Sequence, residues 1–135
     1  MSAPISTPGP DAQQLKGKRG LQRLLNAARY SIDGFRAAWA HEDAFRQEVL
    51  LALVMIPVAF VLPVGVVEKI LMIGTVLLVL IVELLNSAVE AAIDRDSFEI
   101  NPLGKRAKDL GSAAVMLALL FTAGTWIAIL AHRFL

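Results

Sequence analysis

The sequence holds no cysteine among its 135 residues. A disulfide framework and a thiolate site for zinc or an iron–sulfur cluster are therefore excluded. Charge is scarce as well: Asp, Glu, Lys and Arg make up 19% of the chain, against roughly 25% in ordinary soluble domains. What charge there is nearly cancels, to a net +1, so no global field points to nucleic acid. Apolar residues fill the gap, at 56% with a mean hydropathy of +0.62. High hydrophobicity with little net charge excludes disorder. A water-soluble domain is disfavoured too, because so small a body cannot hide this much apolar surface. The composition describes a small membrane protein.

The few charges are placed unevenly. Residues Val49 to Val67 carry no charged or polar side chain, and Leu110 to Ala131 carry no charge. Between them, Ile70 to Ile93 is an apolar run interrupted by Glu83, Asn86, Ser87 and Glu90. A membrane span needs about 20 predominantly apolar residues. The pattern predicts an all-α membrane protein with three transmembrane helices, about 46–66, 70–94 and 108–132. A soluble three-helix bundle would require a polar face on each helix, and the first and third runs have none.

Residues 1–20 combine Pro4, Pro8, Pro10, Gly9, Gly17 and Gly20 with Lys16, Lys18 and Arg19. This reads as a mobile basic leader; the apolar stretch and small-residue cleavage site of a signal peptide do not follow the basic residues. From Leu21 the pattern changes. Leu21, Leu24, Leu25, Ala28, Ile32, Phe35 and Trp39 recur at steps of three and four, with Arg23, Asn26, Arg29, Asp33 and Arg36 opposite. An amphipathic helix over about 21–40 with a basic polar face is expected to lie in the membrane interface. Gly34 is a point where it can bend. The alternative, a helix packed only on protein, is compatible with the same pattern. Residues 21–135 then form one membrane-embedded domain.

Seven Lys and Arg precede the first span, one (Lys69) lies in the first connection, four in the second, and one (Arg133) follows the third. Positive residues favour the cytoplasmic side. The N-terminus and the 94–109 connection are expected in the cytoplasm, with the 63–69 turn and the C-terminus outside. Both polar regions then meet the nucleotide-containing compartment.

The second span carries the chemistry. Steps of three, four and four put Glu83, Asn86, Glu90 and Asp94 within about 80° of arc on one helix face. Asp94 sits at the mouth, with Glu83 roughly 16 Å deeper along the axis. A carboxylate at bilayer depth costs several kcal/mol, so such groups face protein or water and serve a purpose. For Asn86 and Ser87 a helix-gluing hydrogen-bond stripe is a sufficient explanation; two glutamates seven residues apart ask for more. Magnesium is commonly held by one or two carboxylates together with substrate phosphates, and a second carboxylate can act as general base toward an alcohol. Lys105, Arg106, Lys108 and Asp109, and Glu42, Asp43, Arg46 and Glu48, lie at the same boundary. No G-x-x-x-x-G-K-[ST] loop occurs, because Gly104-Lys105 lacks both the earlier glycine and the following hydroxyl. No protein-kinase signature occurs either. Any nucleotide site must be built from helix side chains.

The segments Glu83-Leu-Leu-Asn86-Ser87-Ala-Val-Glu90-Ala-Ala-Ile-Asp94-Arg95, Arg106-Ala-Lys108-Asp109-Leu-Gly111-Ser112-Ala113-Ala114 and Gly34-Phe-Arg36-Ala-Ala-Trp39-Ala-His-Glu42-Asp-Ala-Phe45-Arg46-Gln47-Glu48 strongly resemble the prokaryotic diacylglycerol kinase family. The resemblance runs from about Leu21 to Arg133. It implies an integral membrane enzyme of the bacterial inner membrane that uses MgATP to phosphorylate diacylglycerol, giving phosphatidic acid. It also implies a homotrimer of three-span subunits, each with an interfacial helix, and active sites between neighbouring subunits. By the same resemblance Glu83 matches the general base, Glu42 and Glu90 the metal-binding residues, and Asn86 a residue that orients the base. Arg23, Tyr30, Lys108 and Asp109 match nucleotide-binding positions, and Ser112, with Arg23 and Glu83, falls where the lipid approaches. The loop 96–103 matches only loosely, and no nucleotide contact is carried over to Glu99 or Asn101. Some members of the family prefer undecaprenol as the acceptor. From other classes, a small proton- or cation-coupled transporter also carries an intramembrane glutamate but has no use for Glu42 or the 104–112 cations, and a scaffold protein would tolerate loss of both Glu83 and Glu90.

Overall fold

The computed structural model describes residues 12–96 and 101–135. Among them there is no strand, and four helices follow one another: α1 (Ala12–His41), α2 (Asp43–Val61), α3 (Val66–Asp96) and α4 (Pro102–Phe134). By internal packing the chain divides into a first unit ending at Ala37 and a second from Ala38 to Leu135.

In the first unit, α1 begins at Ala12, well before the expected start at about 21, and runs through Gly17, Gly20 and Gly34 without interruption. Each interior glycine costs a helix about 1 kcal/mol relative to alanine, but Gln13, Gln14, Leu15, Lys16, Lys18 and Arg19 around them all favour helix. The expectation for residues 1–11 lies outside the described residues. Leu21, Leu24, Leu25, Ile32 and Phe35 are exposed along α1, the amphipathic pattern read from the sequence.

In the second unit, a single extended residue, Glu42, separates α1 from α2. The Glu42 N–H still bonds the Ala38 carbonyl at 2.9 Å and the Arg46 N–H bonds the Glu42 carbonyl at 3.2 Å, so the chain kinks with little loss of hydrogen bonding. Arg46 fastens the joint by donating to the Trp39 carbonyl at 3.1 Å and pairing with Asp43. At the other end α2 stops at Val61, short of the expected 66. Leu62 precedes Pro63 and is held extended at φ −64°, ψ 142°, the conformation that a following proline imposes.

The helix α3 is central and packs on both α2 and α4. Its core contains Ala52 and Ala59 of α2, Met72 and Val76 of α3, and Trp126 of α4, with Ala59 and Met72 fully buried. Small residues on α2 let two helices approach closely where lipid offers no hydrophobic drive. Polar side chains add fixed points between α3 and α4. The Trp126 indole N–H donates to the Met72 carbonyl at 3.0 Å, and the Thr122 hydroxyl bonds the Thr75 carbonyl at 3.1 Å. These pairs define one antiparallel register, which the close approach of Gly104 to Ile93 continues toward the α3–α4 connection.

The helix α4 starts at Pro102, six residues before the expected 108. Asn101 caps it by accepting from the Leu103 N–H at 2.9 Å, and Pro102 occupies the first turn, where its missing N–H and fixed φ cost nothing. Residues 105–108, whose charges read as a loop, therefore belong to a helix. At the opposite end Lys69 bonds the Phe60 carbonyl and Arg133 the Pro63 carbonyl, each at 2.6 Å, and Glu68 accepts from the Gly65 N–H. The helices α2, α3 and α4 are each long and apolar enough to cross a membrane. Their exposed residues include Leu53, Phe60, Leu71, Leu117 and Ile127, an inside-out distribution for water and the expected one for lipid.

Candidate active site

The polar stripe of α3 meets the first turns of α2 and α4. Glu83 lies deepest, 5% exposed. Glu42, at the α1–α2 kink, and Glu90, two turns along α3, are both near enough to act on it electrostatically, and Glu83 in turn acts on Glu48 of α2. Glu83 thus has three other carboxylates within electrostatic range. Among the described residues none of the four takes part in an ion pair: Arg46 is engaged by Asp43, Lys105 by Asp109 and Lys108 by Asp94. One oxygen of Glu48 is buried without a hydrogen-bond partner.

Asn86 lies between Glu83 and Glu90 on the same face. Its amide nitrogen donates to Glu90 Oε1 at 3.4 Å, while its carbonyl oxygen is buried with no partner, as is the Ser87 hydroxyl. On α4, Lys108 donates to Asp94 Oδ1 at 2.7 Å and also lies in the field of Glu90. Asp109 is exposed and accepts from Lys105 at 2.6 Å, one helical turn away. Ser112 is exposed on α4. Arg23 and Tyr30 are exposed on α1 in the first unit.

The structure therefore brings together Glu42, Glu83, Asn86, Glu90 and Lys108 of the residues singled out in the sequence. It adds Glu48, which the sequence offered only as a boundary acid; its signal was an acidic side chain immediately before an uninterrupted apolar run. It also adds Gly111 of α4, where an added Cβ would meet the Asn86 side chain.

The donor set suits a hard divalent cation, because it is made of carboxylate oxygens that form no ion pair among the described residues. No three acidic or histidine side chains among the described residues are grouped tightly enough to hold a metal alone. Such a site takes its remaining ligands from phosphate and water, as magnesium sites commonly do.

A model of the family described as prokaryotic diacylglycerol kinase matches residues 29–130. The chain belongs to this family. It is similar to the diacylglycerol kinase of Pseudomonas aeruginosa, 58% identical over 115 residues that cover 85% of this chain and 94% of the relative. The diacylglycerol kinase of Escherichia coli K12 is 46% identical over the same shares of the two chains. That of Helicobacter pylori J99 is 44% identical over 108 residues, 80% of this chain and 84% of the relative. Membership makes the protein a kinase, and its three apolar helices make it a membrane protein. The matched region takes in all four of these carboxylates and Lys108.

Proposed function

We propose that the protein transfers the γ-phosphoryl group of ATP to the free hydroxyl of diacylglycerol, giving phosphatidic acid and ADP, at the cytoplasmic face of the bacterial inner membrane. The observation that carries this reading is Glu83: a carboxylate buried at bilayer depth, among three others, with no cation paired to it among the described residues. Such a group is costly and is retained for function. The names of the relatives supply the acceptor, and the depth of Glu83 suits one, since a diacylglycerol hydroxyl is anchored at the interface by two acyl chains.

Each residue then has a defined task. Glu83 takes the proton from the lipid hydroxyl as its oxygen bonds to the γ-phosphorus, and the bond to the β-phosphate oxygen breaks. Glu42 and Glu90 would hold Mg2+, which when bound neutralises charge on the phosphates. Asn86 orients the base and its neighbours, Glu90 among them through the 3.4 Å hydrogen bond. Lys108, Asp109, Arg23 and Tyr30 serve the nucleotide, and Ser112 with Arg23 serves the lipid. The N-terminus is cytoplasmic, as the distribution of Lys and Arg favours. The working unit is a homotrimer with sites shared between subunits, the Glu83–Glu90–Lys108 part of each coming from one chain.

The test uses purified protein in mixed micelles with MgATP and either diacylglycerol or undecaprenol. Phosphatidic acid formation that is lost in Glu83→Gln supports the reading. Faster phosphorylation of undecaprenol would replace the acceptor, and no lipid phosphorylation at all would remove the kinase mechanism.

A further inference from the structure

Gly111 stands on α4 opposite Asn86 of α3, in the register set by Thr122 on Thr75 and Trp126 on Met72. A Cβ added to Gly111 would fall on the Asn86 side-chain oxygen and within 3.2 Å of its Cγ. Among the glycines of the membrane helices, Gly74 and Gly124 have open space where a Cβ would go. Gly111 is different. The Asn86 carbonyl occupies the volume that any other residue's side chain would need.

The direction in which the amide points follows from charge. Glu90 is an acceptor when ionised, so Asn86 presents its NH2 to Glu90 Oε1, at 3.4 Å, and must turn its carbonyl oxygen the other way. That way leads to α4. The oxygen is buried there without a hydrogen-bond partner. The oxygen and the NH2 share one planar amide, so turning the oxygen out of this notch about the Cβ–Cγ bond also moves the NH2 that bonds Glu90.

We infer that Gly111 is a positioning residue for the phosphoryl-transfer site: it provides the notch on α4 that fixes the Asn86 amide, and through it the Glu90 carboxylate. This inference rests on the reading of Glu90 and Asn86 given above, but its geometric part does not depend on it. Displacing a catalytic constellation by about 1 Å can cost on the order of 10²-fold in rate.

The experiment is a double-mutant cycle with Gly111→Ala, Asn86→Ala and the combined variant, in detergent micelles. Two readouts are taken: thermal unfolding, and kcat with KM for MgATP and diacylglycerol. The expected result for Gly111→Ala is folded protein with kcat down about 10²-fold, close to Asn86→Ala, and either KM changed by less than about threefold. The combined variant should be no slower than Asn86→Ala alone, and it should unfold at a higher temperature than Gly111→Ala, because the clash has gone. Should Gly111→Ala fail to fold, recovery of folded protein on adding Asn86→Ala supports the inference equally. Independent, multiplying losses, or a Gly111→Ala enzyme with full kcat, would overturn it. Because unfolding is read without any substrate, coupling between positions 86 and 111 in a protein with no kinase activity would sink the proposed function and leave the contact standing.

Discussion

Lys108 of α4 reaches across to Asp94 of α3, Nζ to Oδ1 at 2.7 Å, while remaining in the field of Glu90. This places a cation at the mouth of an otherwise acidic cluster and ties it to the face on which Glu83 and Glu90 lie. Both partners of the pair are substantially exposed, so water screens them and their mutual attraction adds little to stability. The charge of Lys108 is of more use to an incoming anion. Lys108→Met is expected to raise KM for MgATP by about tenfold or more, whereas Asp94→Asn, which leaves the cation in place, should change it by less than about threefold. Neither should move the unfolding temperature measurably. Equal kinetic effects of the two substitutions would show that the ion pair itself, and not the lysine charge, is what matters.

Glu83 faces the opposite balance. It is buried among like charges, and like charges in a poorly solvated site oppose folding. Glu83→Gln keeps the shape and removes the charge, so it should raise the unfolding temperature while lowering kcat by about 10²- to 10⁴-fold, the usual contribution of a general base. Stability and activity then move in opposite directions, as they do where a strained site is retained for function. A variant that is both inactive and destabilised would make Glu83 a structural residue.

The face that carries Glu83, Asn86, Glu90 and Asp94 was legible from spacing alone, because helical steps decide which residues share a face. The three spans were legible for a similar reason: charge is absent from them. Their ends were not. Proline at 63 stops α2 early, while the Asn101–Pro102 cap starts α4 early and draws Lys105 and Lys108 into a helix that their charge had disguised. The role of Gly111 depends on the α3–α4 register, and that register is set by Met72, Thr75, Thr122 and Trp126 at a distance along the chain. Arg23 and Tyr30 owe their assignment to family resemblance, with no contribution from periodicity.

The Trp126 indole and the Thr122 hydroxyl both bond carbonyls of α3 inside the apolar region. Hydrogen bonds between membrane helices average about 0.6 kcal/mol and reach about 1.7 kcal/mol. Trp126→Phe keeps most of the packing and loses the N–H, and the Met72 carbonyl still accepts from Thr75 at 3.0 Å. A stability loss of about 1 kcal/mol is expected, with kcat unchanged, measured by reversible unfolding in mixed micelles. Trp126→Ala also opens a cavity and should cost about 3–5 kcal/mol. A marked loss of kcat in a folded Trp126→Phe protein would mean that the register reaches the site more directly than through Gly111.

Metal and base roles are separable by titration. Glu42 and Glu90 are proposed to hold Mg2+ and Glu83 to take the proton, so Glu42→Gln and Glu90→Gln should shift the magnesium concentration for half-maximal rate upward by more than Glu83→Gln does. Each lost carboxylate would remove one of few protein ligands, because among the described residues no group of three or more His, Cys, Asp or Glu side chains could hold a metal by itself. Residual activity in each variant is measured across a magnesium series at fixed ATP. Coincident curves for all three would refute the division of labour.

Subunit mixing tests where each site is assembled. Glu83, Glu90 and Lys108 lie together within a single chain, so a neighbouring copy is not needed to bring the base and this cation to one place. Mixed assemblies of Glu83→Gln and Lys108→Met subunits, assayed at subsaturating MgATP, should therefore be no more active than the sum of the two variants assayed apart, since every site inherits both residues from the same chain and lacks one of them. Subunit exchange is verified separately, by the recovery of differently tagged chains in one complex. Restored activity under those conditions would mean that Lys108 serves the Glu83 of a neighbour. The Asp94–Lys108 pair of the single chain would then describe a resting contact that the assembled enzyme breaks.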